Sequence, residues 1–156
     1  MEELDFQGLL DHFNSHGFQK GEQVILGHFG TVQTILSLIF GCPVNVRDVE
    51  MKEEDGVIIR TIKLAAGETI IGHATSRIPE AFNREDVLHD VTTGKLGLGQ
   101  IIVKHQISNR RILGEVGRDE NGFWRNYIIE GPELYIDIHE YFYRKPVEDV
   151  GWLKPE

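Results

Sequence analysis

The sequence has 156 residues, of which 40% are hydrophobic and 26% charged, with a formal net charge of −9. This length suffices for a hydrophobic core, and we predict a single domain over residues 1–156. The acidic balance disfavours nucleic acids and acidic membranes as partners, because both repel a protein of this charge. The single Cys42 excludes an internal disulfide and a cysteine-rich metal site.

Signatures for targeting, membrane insertion and metal binding are not found in the sequence. No basic and apolar leader opens it, and no apolar run approaches the roughly 18 residues that cross a bilayer. His12 and His16 are four residues apart, but a third ligand and a general-base glutamate are missing from this segment. We therefore expect a cytoplasmic protein that does not associate with membranes and has no metal site.

Helical periodicity dominates the first forty residues. Apolar side chains recur at helical spacing over residues 4–16 and predict a helix that ends at Gly17. The glycine-rich segment 17–30 is predicted to be irregular. Thr31 then begins a second predicted helix, which Gly41 ends.

Strand periodicity begins at Pro43. The alternation slips near Arg47–Asp48, which predicts a β-bulge, and Asp55–Gly56 predicts a turn. The strand at residues 57–64 is apolar on both faces, so we place it inside the sheet. The strand at residues 69–79 carries small residues on one face, which leaves room for another group.

Residues 80–107 interrupt the strands and are called the lid below. They contain two short apolar stripes at helical spacing, separated by Gly94, Gly97 and Gly99. Short helices next to glycines and between strands are typical of a segment that closes over a pocket. We therefore predict that the lid covers a binding site.

The last third of the sequence, residues 114–144, predicts three strands. Asn121–Gly122 and Gly131–Pro132 are the two turn signals. The last strand alternates, with Leu134, Ile136, Ile138 and Phe142 on one face and Tyr135, Asp137, His139, Tyr141 and Tyr143 on the other. Together these elements predict an α+β fold with a six-stranded, mainly antiparallel sheet and helical flaps over a buried pocket.

Two charged residues, Arg60 and Glu140, fall on apolar faces of predicted strands. A structural ion pair between them is one interpretation, although such pairs are weak sources of stability. The other interpretation is a polar site in an apolar pocket. There the planar guanidinium of Arg60 suits a carboxylate, and Glu140 can accept a hydrogen bond from a hydroxyl. Arg110–Arg111 is interpreted as a solvated pair at a strand start.

The chain resembles the chorismate lyase (chorismate pyruvate-lyase) family over residues 60–144. The resemblance lies in the order and spacing of Arg60, GHATSRIP, KLGLGQ, GRD followed by NGFWR, and HEYFYR. It implies a six-stranded antiparallel sheet with helical flaps that close over a buried site for an aromatic acid. It also implies conversion of chorismate, a small-molecule substrate, to 4-hydroxybenzoate and pyruvate without a cofactor.

The resemblance assigns roles to residues that match the family's motifs. Arg60 stands where the family has an arginine that binds a substrate carboxylate. Glu140 stands where it has a glutamate that contacts the ring hydroxyl. Leu98 occupies a lid position that contributes a backbone contact. We take Arg60 and Glu140 as the catalytic candidates.

Four positions are related to the family pattern less directly. Gly30 falls near a family methionine on the other flap, and Thr31 beside it is a further substrate-binding candidate. Ala74 replaces a glycine that contacts the substrate, and Thr75 replaces the arginine that follows this glycine. Two alternatives stay open, the first because the same fold also occurs as a ligand-binding domain and the second because of these departures. One is a non-catalytic module that binds aromatic or sugar acids on the same fold, and the other is an enzyme for a related enolpyruvyl acid.

Overall fold

The computed structural model describes residues 5–28 and 30–156, which form an α+β fold. Its α-helices are α1 (Phe6–Ser15), α2 (Lys20–Leu26), α3 (Val32–Phe40), α4 (Glu85–Thr93), α5 (Leu98–Lys104) and α6 (Arg144–Asp149). Its strands are β1 (Val44–Glu54), β2 (Val57–Ala66), β3 (Thr69–Pro79), β4 (Arg110–Arg118), β5 (Gly122–Gly131) and β6 (Leu134–Tyr143). None of the described helices is long and apolar enough to cross a membrane.

The six strands form one sheet in the order β1-β2-β3-β6-β5-β4, and every neighbouring pair is antiparallel. This confirms the predicted six-stranded antiparallel sheet. Strand β2 lies inside the sheet, as its two apolar faces predicted. The lid, which contains α4 and α5, connects β3 to the far edge strand β4, and β6 returns to pair with β3.

The predicted turns and bulge are present, but the turn between β4 and β5 lies before Gly122, which already begins β5. The register between β1 and β2 shifts between Arg47 and Glu50, which confirms the bulge. Asp55 and Gly56 both have positive φ angles, of 52° and 76°, in the turn that follows β1. The turn between β5 and β6 consists of Pro132 and Glu133, since Gly131 already pairs with Leu134.

One face of the sheet is buried along its central strands. Along β6, buried and half-buried residues alternate without interruption, so the predicted assignment of its two faces is confirmed. Apolar side chains from the buried face pack with those of the helices into one core cluster. Glu140 lies within this face at 3% exposure, so its carboxylate needs polar partners inside the protein.

The prediction of an irregular segment over residues 17–30 is wrong, because α2 lies within it. Ile25 and Leu26 are completely buried, and so is Glu22. Oε2 of Glu22 lies 3.1 Å from Nη2 of Arg144, which joins α2 to the first residue of α6. Tertiary packing therefore stabilises a short helix despite the glycines around it.

The two predicted lid helices are confirmed as α4 and α5, and Asp90 on α4 joins them. Its carboxylate accepts hydrogen bonds from Nζ of Lys104 at 2.9 Å and pairs with Nε2 of His105 at 2.6 Å. These bonds lower the pKa of Asp90 below its usual value. The charged carboxylate is therefore the form that holds α4 and α5 together.

We expect acid to loosen the lid through Asp90. Because its folded pKa is lowered, its contribution is present above the ordinary value of about 4 and is lost as the pH falls through the lowered folded value. Amide exchange in α4 and α5, corrected for its intrinsic pH dependence, should accelerate below about pH 4. Asp90→Asn should exchange fast already at neutral pH, whereas Glu85→Gln, at an exposed position on α4, should behave like the wild type. Equal protection in Asp90→Asn and wild type would contradict this role.

Candidate functional site

A small cavity of about 50 Å³ lies between the buried face of the sheet and the segments that begin α3 and α5. The structure brings together at this cavity five of the six predicted site residues, namely Thr31, Arg60, Ala74, Leu98 and Glu140. They come from separate parts of the chain. Their convergence makes this cavity the candidate site.

Strand register brings the polar groups to the cavity. Arg60 on β2 pairs with Ser76 on β3, and Ala74 on β3 pairs with Glu140 on β6. These inward positions lie on three neighbouring strands, so their side chains share one face. The small side chains of Ala74 and Ser76 leave space between Arg60 and Glu140, as the small-residue face of this strand predicted.

Two glycines allow the lid to approach the N-terminal flap, which we define as residues 30–33. A Cβ atom on Gly97 would lie 2.5 Å from Oε1 of Gln33, and one on Gly99 would lie 3.1 Å from Oγ1 of Thr31. Of the three lid glycines, Gly94 has the positive φ angle, 71°, that ends α4. Gly94 therefore ends α4, whereas Gly97 and Gly99 allow close contacts with the N-terminal flap.

Arg60 is a buried cation without a carboxylate partner among residues 5–28 and 30–156. Its side chain is 1% exposed, and its Nη2 donates a hydrogen bond to the carbonyl oxygen of Leu96 at 2.7 Å. Its Nε is buried and has no hydrogen-bond partner among the described residues. Burial lowers the pKa of the guanidinium. A cation in this state can gain substantially from an anionic ligand.

Glu140 is paired, but with Arg125 on β5. Nε of Arg125 lies 2.6 Å from Oε1 of Glu140, and the hydroxyl of Tyr127 donates to Oε2 at 3.2 Å. Burial alone would lower the pKa of Arg125, but the charge of Glu140, together with Tyr127 and the hydrogen bond to the carboxylate, outweighs burial and raises it. The interpretation of Arg60 and Glu140 as a structural ion pair is therefore wrong, because the pair is Arg125 with Glu140.

The chain is similar to a protein of Methanocaldococcus jannaschii named "Putative lyase MJ0807". The two are 27% identical over 101 residues, which cover 62% of this chain and 55% of that protein. The chain thus spans about half the length of this relative. No protein-family model matches the chain.

Sequence reasoning missed Arg125, although the hairpin signal could have revealed it. Gly131 pairs with Leu134 across the β5–β6 turn. Counting six residues back from Gly131 and six forward from Leu134 reaches Arg125 and Glu140, which are paired in the sheet. A charge opposite Glu140 on the neighbouring strand was therefore implied once this turn was placed.

The interpretation of Arg110–Arg111 as a solvated pair is wrong for its second member. Arg111 lines the cavity, whereas the side chain of Arg110 is 64% exposed and pairs with Glu130. The signal was the alternation along β4, since Arg111 is two residues before the buried Leu113 and shares its face.

Gly30 lies beside the cavity without lining it. Its carbonyl oxygen accepts a hydrogen bond from Nη1 of Arg111 at 2.7 Å. A Cβ atom on Gly30 would lie 2.8 Å from Nε2 of His28, so the imidazole ring already occupies the adjacent space. Gly30 therefore contributes its backbone to the cavity rim.

The cavity is locally cationic in a chain whose formal net charge is −9. Its lining includes Arg60, Arg111 and Glu140. The charge of Glu140 is compensated by Arg125, which is not part of the lining. Such a site favours an anion that also has an apolar part, because the lining also includes Ile62, Ile129 and Ile138. No cluster of His, Cys, Asp and Glu within the described ranges could hold a metal ion.

We expect the lid to move when an aromatic acid binds. The cavity measures about 50 Å³, whereas an engineered protein cavity that binds benzene measures about 150 Å³. Without ligand, residues 80–107 should exchange their amides faster than the strands between residues 110 and 143, and they should gain protection when 4-hydroxybenzoate is added. The strands serve as the internal control. Uniformly slow exchange with and without ligand would contradict a moving lid.

Proposed function

We propose that the protein is a lyase that converts chorismate to 4-hydroxybenzoate and pyruvate. The observation that carries the proposal is Arg60, a buried cation with no carboxylate partner in the described chain, in one cavity with Glu140. The resemblance over residues 60–144 and the similarity to a protein named as a lyase support it. Neither similarity extends over the whole chain, and the substrate rests on the resemblance together with the chemistry of the cavity.

The reaction is an elimination that requires little covalent chemistry from the protein. The bond between the ring carbon and the enolpyruvyl oxygen breaks, and the hydroxyl-bearing ring carbon loses its hydrogen. The ring becomes aromatic, and the enolpyruvate takes up a proton at its methylene carbon to give pyruvate. Aromaticity supplies much of the driving force. The protein can accelerate this step by orienting the substrate and excluding water.

Arg60 and Glu140 have complementary roles in this proposal. Arg60 binds the ring carboxylate through N–H groups that have no carboxylate partner in the described structure. Glu140 accepts a hydrogen bond from the ring hydroxyl, and Arg125 and Tyr127 hold its carboxylate in place. A fixed acceptor at this position orients the ring, so that the enolpyruvyl group lies between the sheet and the lid.

Incubation of the purified protein with chorismate tests the proposal directly. Chromatography should show 4-hydroxybenzoate, and an independent assay should show pyruvate in equal amount. Arg77→Met, which changes an exposed residue of β3, is the matched control for Arg60→Met and should retain activity. Release of product at the uncatalysed rate only would remove the lyase assignment.

The two alternatives give different results in the same experiment. Binding of 4-hydroxybenzoate or another aromatic acid without turnover would favour a non-catalytic binding module. Turnover of a related enolpyruvyl acid, with chorismate left intact, would favour an enzyme of different specificity.

A further inference from the structure

Arg111 is a second arginine at the cavity that makes no ion pair with any described residue. Its Nη1 donates to the carbonyl oxygen of Gly30, and this is its one hydrogen bond within residues 5–28 and 30–156. The remaining N–H groups of the guanidinium fork are available on the side chain that lines the cavity. Arg111 is half-buried, so these groups are only partly hydrated.

Arg60 and Arg111 lie on strands that are far apart in the sheet. Arg60 is on β2 and Arg111 is on β4, with β3, β6 and β5 between them in the sheet. Four strand spacings of about 4.8 Å place the two backbones roughly 19 Å apart. Glu140 on β6 lies between them and is paired with Arg125. The two arginines therefore approach the cavity from strands on opposite sides of Glu140, and a ligand with an anionic group at each end can pair with both.

We propose that Arg111 binds a second carboxylate and that the site selects small acids with two separated carboxylates. The identity of the acid rests on the proposed function, in which chorismate carries one carboxylate on the ring and one on the enolpyruvyl group. Arg60 takes the ring carboxylate, and the free edge of Arg111 takes the second. Because Arg111 also holds Gly30, binding of the second carboxylate connects the ligand to the N-terminal flap.

Two stable aromatic ligands separate the contributions of the two arginines. 4-Hydroxybenzoate carries one carboxylate, and 3-(carboxymethoxy)-4-hydroxybenzoate adds a second where chorismate has its enolpyruvyl group. Calorimetry should show tighter binding of the dicarboxylate to the wild type. Arg111→Gln should weaken dicarboxylate binding by about tenfold or more, because charge-assisted bonds are lost. Its affinity for 4-hydroxybenzoate should stay within about twofold, which also shows that the variant is folded.

Arg110→Gln is the matched control, since it removes the same charge from the adjacent, exposed position. It should leave both affinities unchanged. Arg111→Lys keeps the charge without the planar fork and should bind the dicarboxylate with intermediate affinity. Equal effects of Arg111→Gln on both ligands, or an effect no larger than that of Arg110→Gln, would overturn the proposal.

The same measurements distinguish this inference from the proposed function. If the wild type prefers the dicarboxylate through Arg111 but releases no 4-hydroxybenzoate from chorismate, the inference holds and the lyase assignment is wrong. If the wild type turns over chorismate and Arg111→Gln has the same KM, the lyase assignment holds and the inference is wrong.

Discussion

Arg60→Met should remove most of the ligand affinity and activity while leaving the melting temperature unchanged or higher. The guanidinium is 1% exposed, has no carboxylate partner in the described chain, and has a buried Nε without a hydrogen bond. Charge-assisted hydrogen bonds to a carboxylate contribute about 1.5–3 kcal/mol, so affinity for 4-hydroxybenzoate should fall by about tenfold to a hundredfold. Replacing a whole buried ion pair with apolar residues of similar volume is often neutral or stabilising. Arg60→Met likewise leaves no opposite charge unpaired, since Arg60 has no carboxylate partner among the described residues.

Thermal unfolding and calorimetry on the same preparation test this expectation. Arg77→Met is the control, since it makes the same substitution at an exposed position on the neighbouring strand. An unchanged dissociation constant for 4-hydroxybenzoate in Arg60→Met would show that Arg60 does not bind the carboxylate. A large loss of stability would show that Arg60 has a structural role that its contacts do not reveal.

Glu140→Gln should destabilise the protein strongly, because it leaves Arg125 buried without its carboxylate. Arg125 is 2% exposed, and its Nε lies 2.6 Å from Oε1 of Glu140. Removing one member of a buried pair costs about 3–5 kcal/mol. For a protein of this size, each kcal/mol lowers the melting temperature by about 2–4 °C, so the decrease should be about 6–20 °C.

The double variant Arg125→Met/Glu140→Gln separates stability from function. It removes both charges, and the amide oxygen can still accept a hydrogen bond from Tyr127, so at least half of the lost stability should return. Turnover of chorismate per folded molecule should stay low, because the fixed carboxylate acceptor is absent. Normal turnover in the double variant would remove Glu140 from the site chemistry. A Glu140→Gln melting temperature equal to that of the wild type would contradict the importance of the ion pair.

The ion pair changes how any single substitution of Glu140 must be interpreted. Glu140 compensates Arg125 whether or not it also contacts a ligand, so a lower melting temperature alone does not distinguish a structural from a ligand-binding role. Arg125 also donates to the carbonyl oxygens of Leu26 at 3.0 Å and His28 at 2.6 Å. The pair therefore connects the candidate site to α2 and to the chain that leads into the N-terminal flap.

The sequence by itself determined the strands, their turns and the two candidate charges. The alternation of apolar and polar residues along 134–143 depends on the pleat of a single strand, and the turn at Asp55–Gly56 depends on local backbone preferences. The inward positions of Arg60 and Glu140 follow from the same alternation. Such signals require only residues that are close in the chain, so they could be interpreted without the tertiary structure.

Only the tertiary structure decided which groups Arg60 and Glu140 contact. α2 depends on the burial of Ile25 and Leu26 by distant elements, which outweighs the effect of the surrounding glycines. The partner of Glu140 was fixed by the register of a hairpin, and the position of Arg111 by the crossover that takes β4 to the far edge of the sheet. Contacts between distant residues depend on packing and strand order, which the periodicity of one segment does not encode.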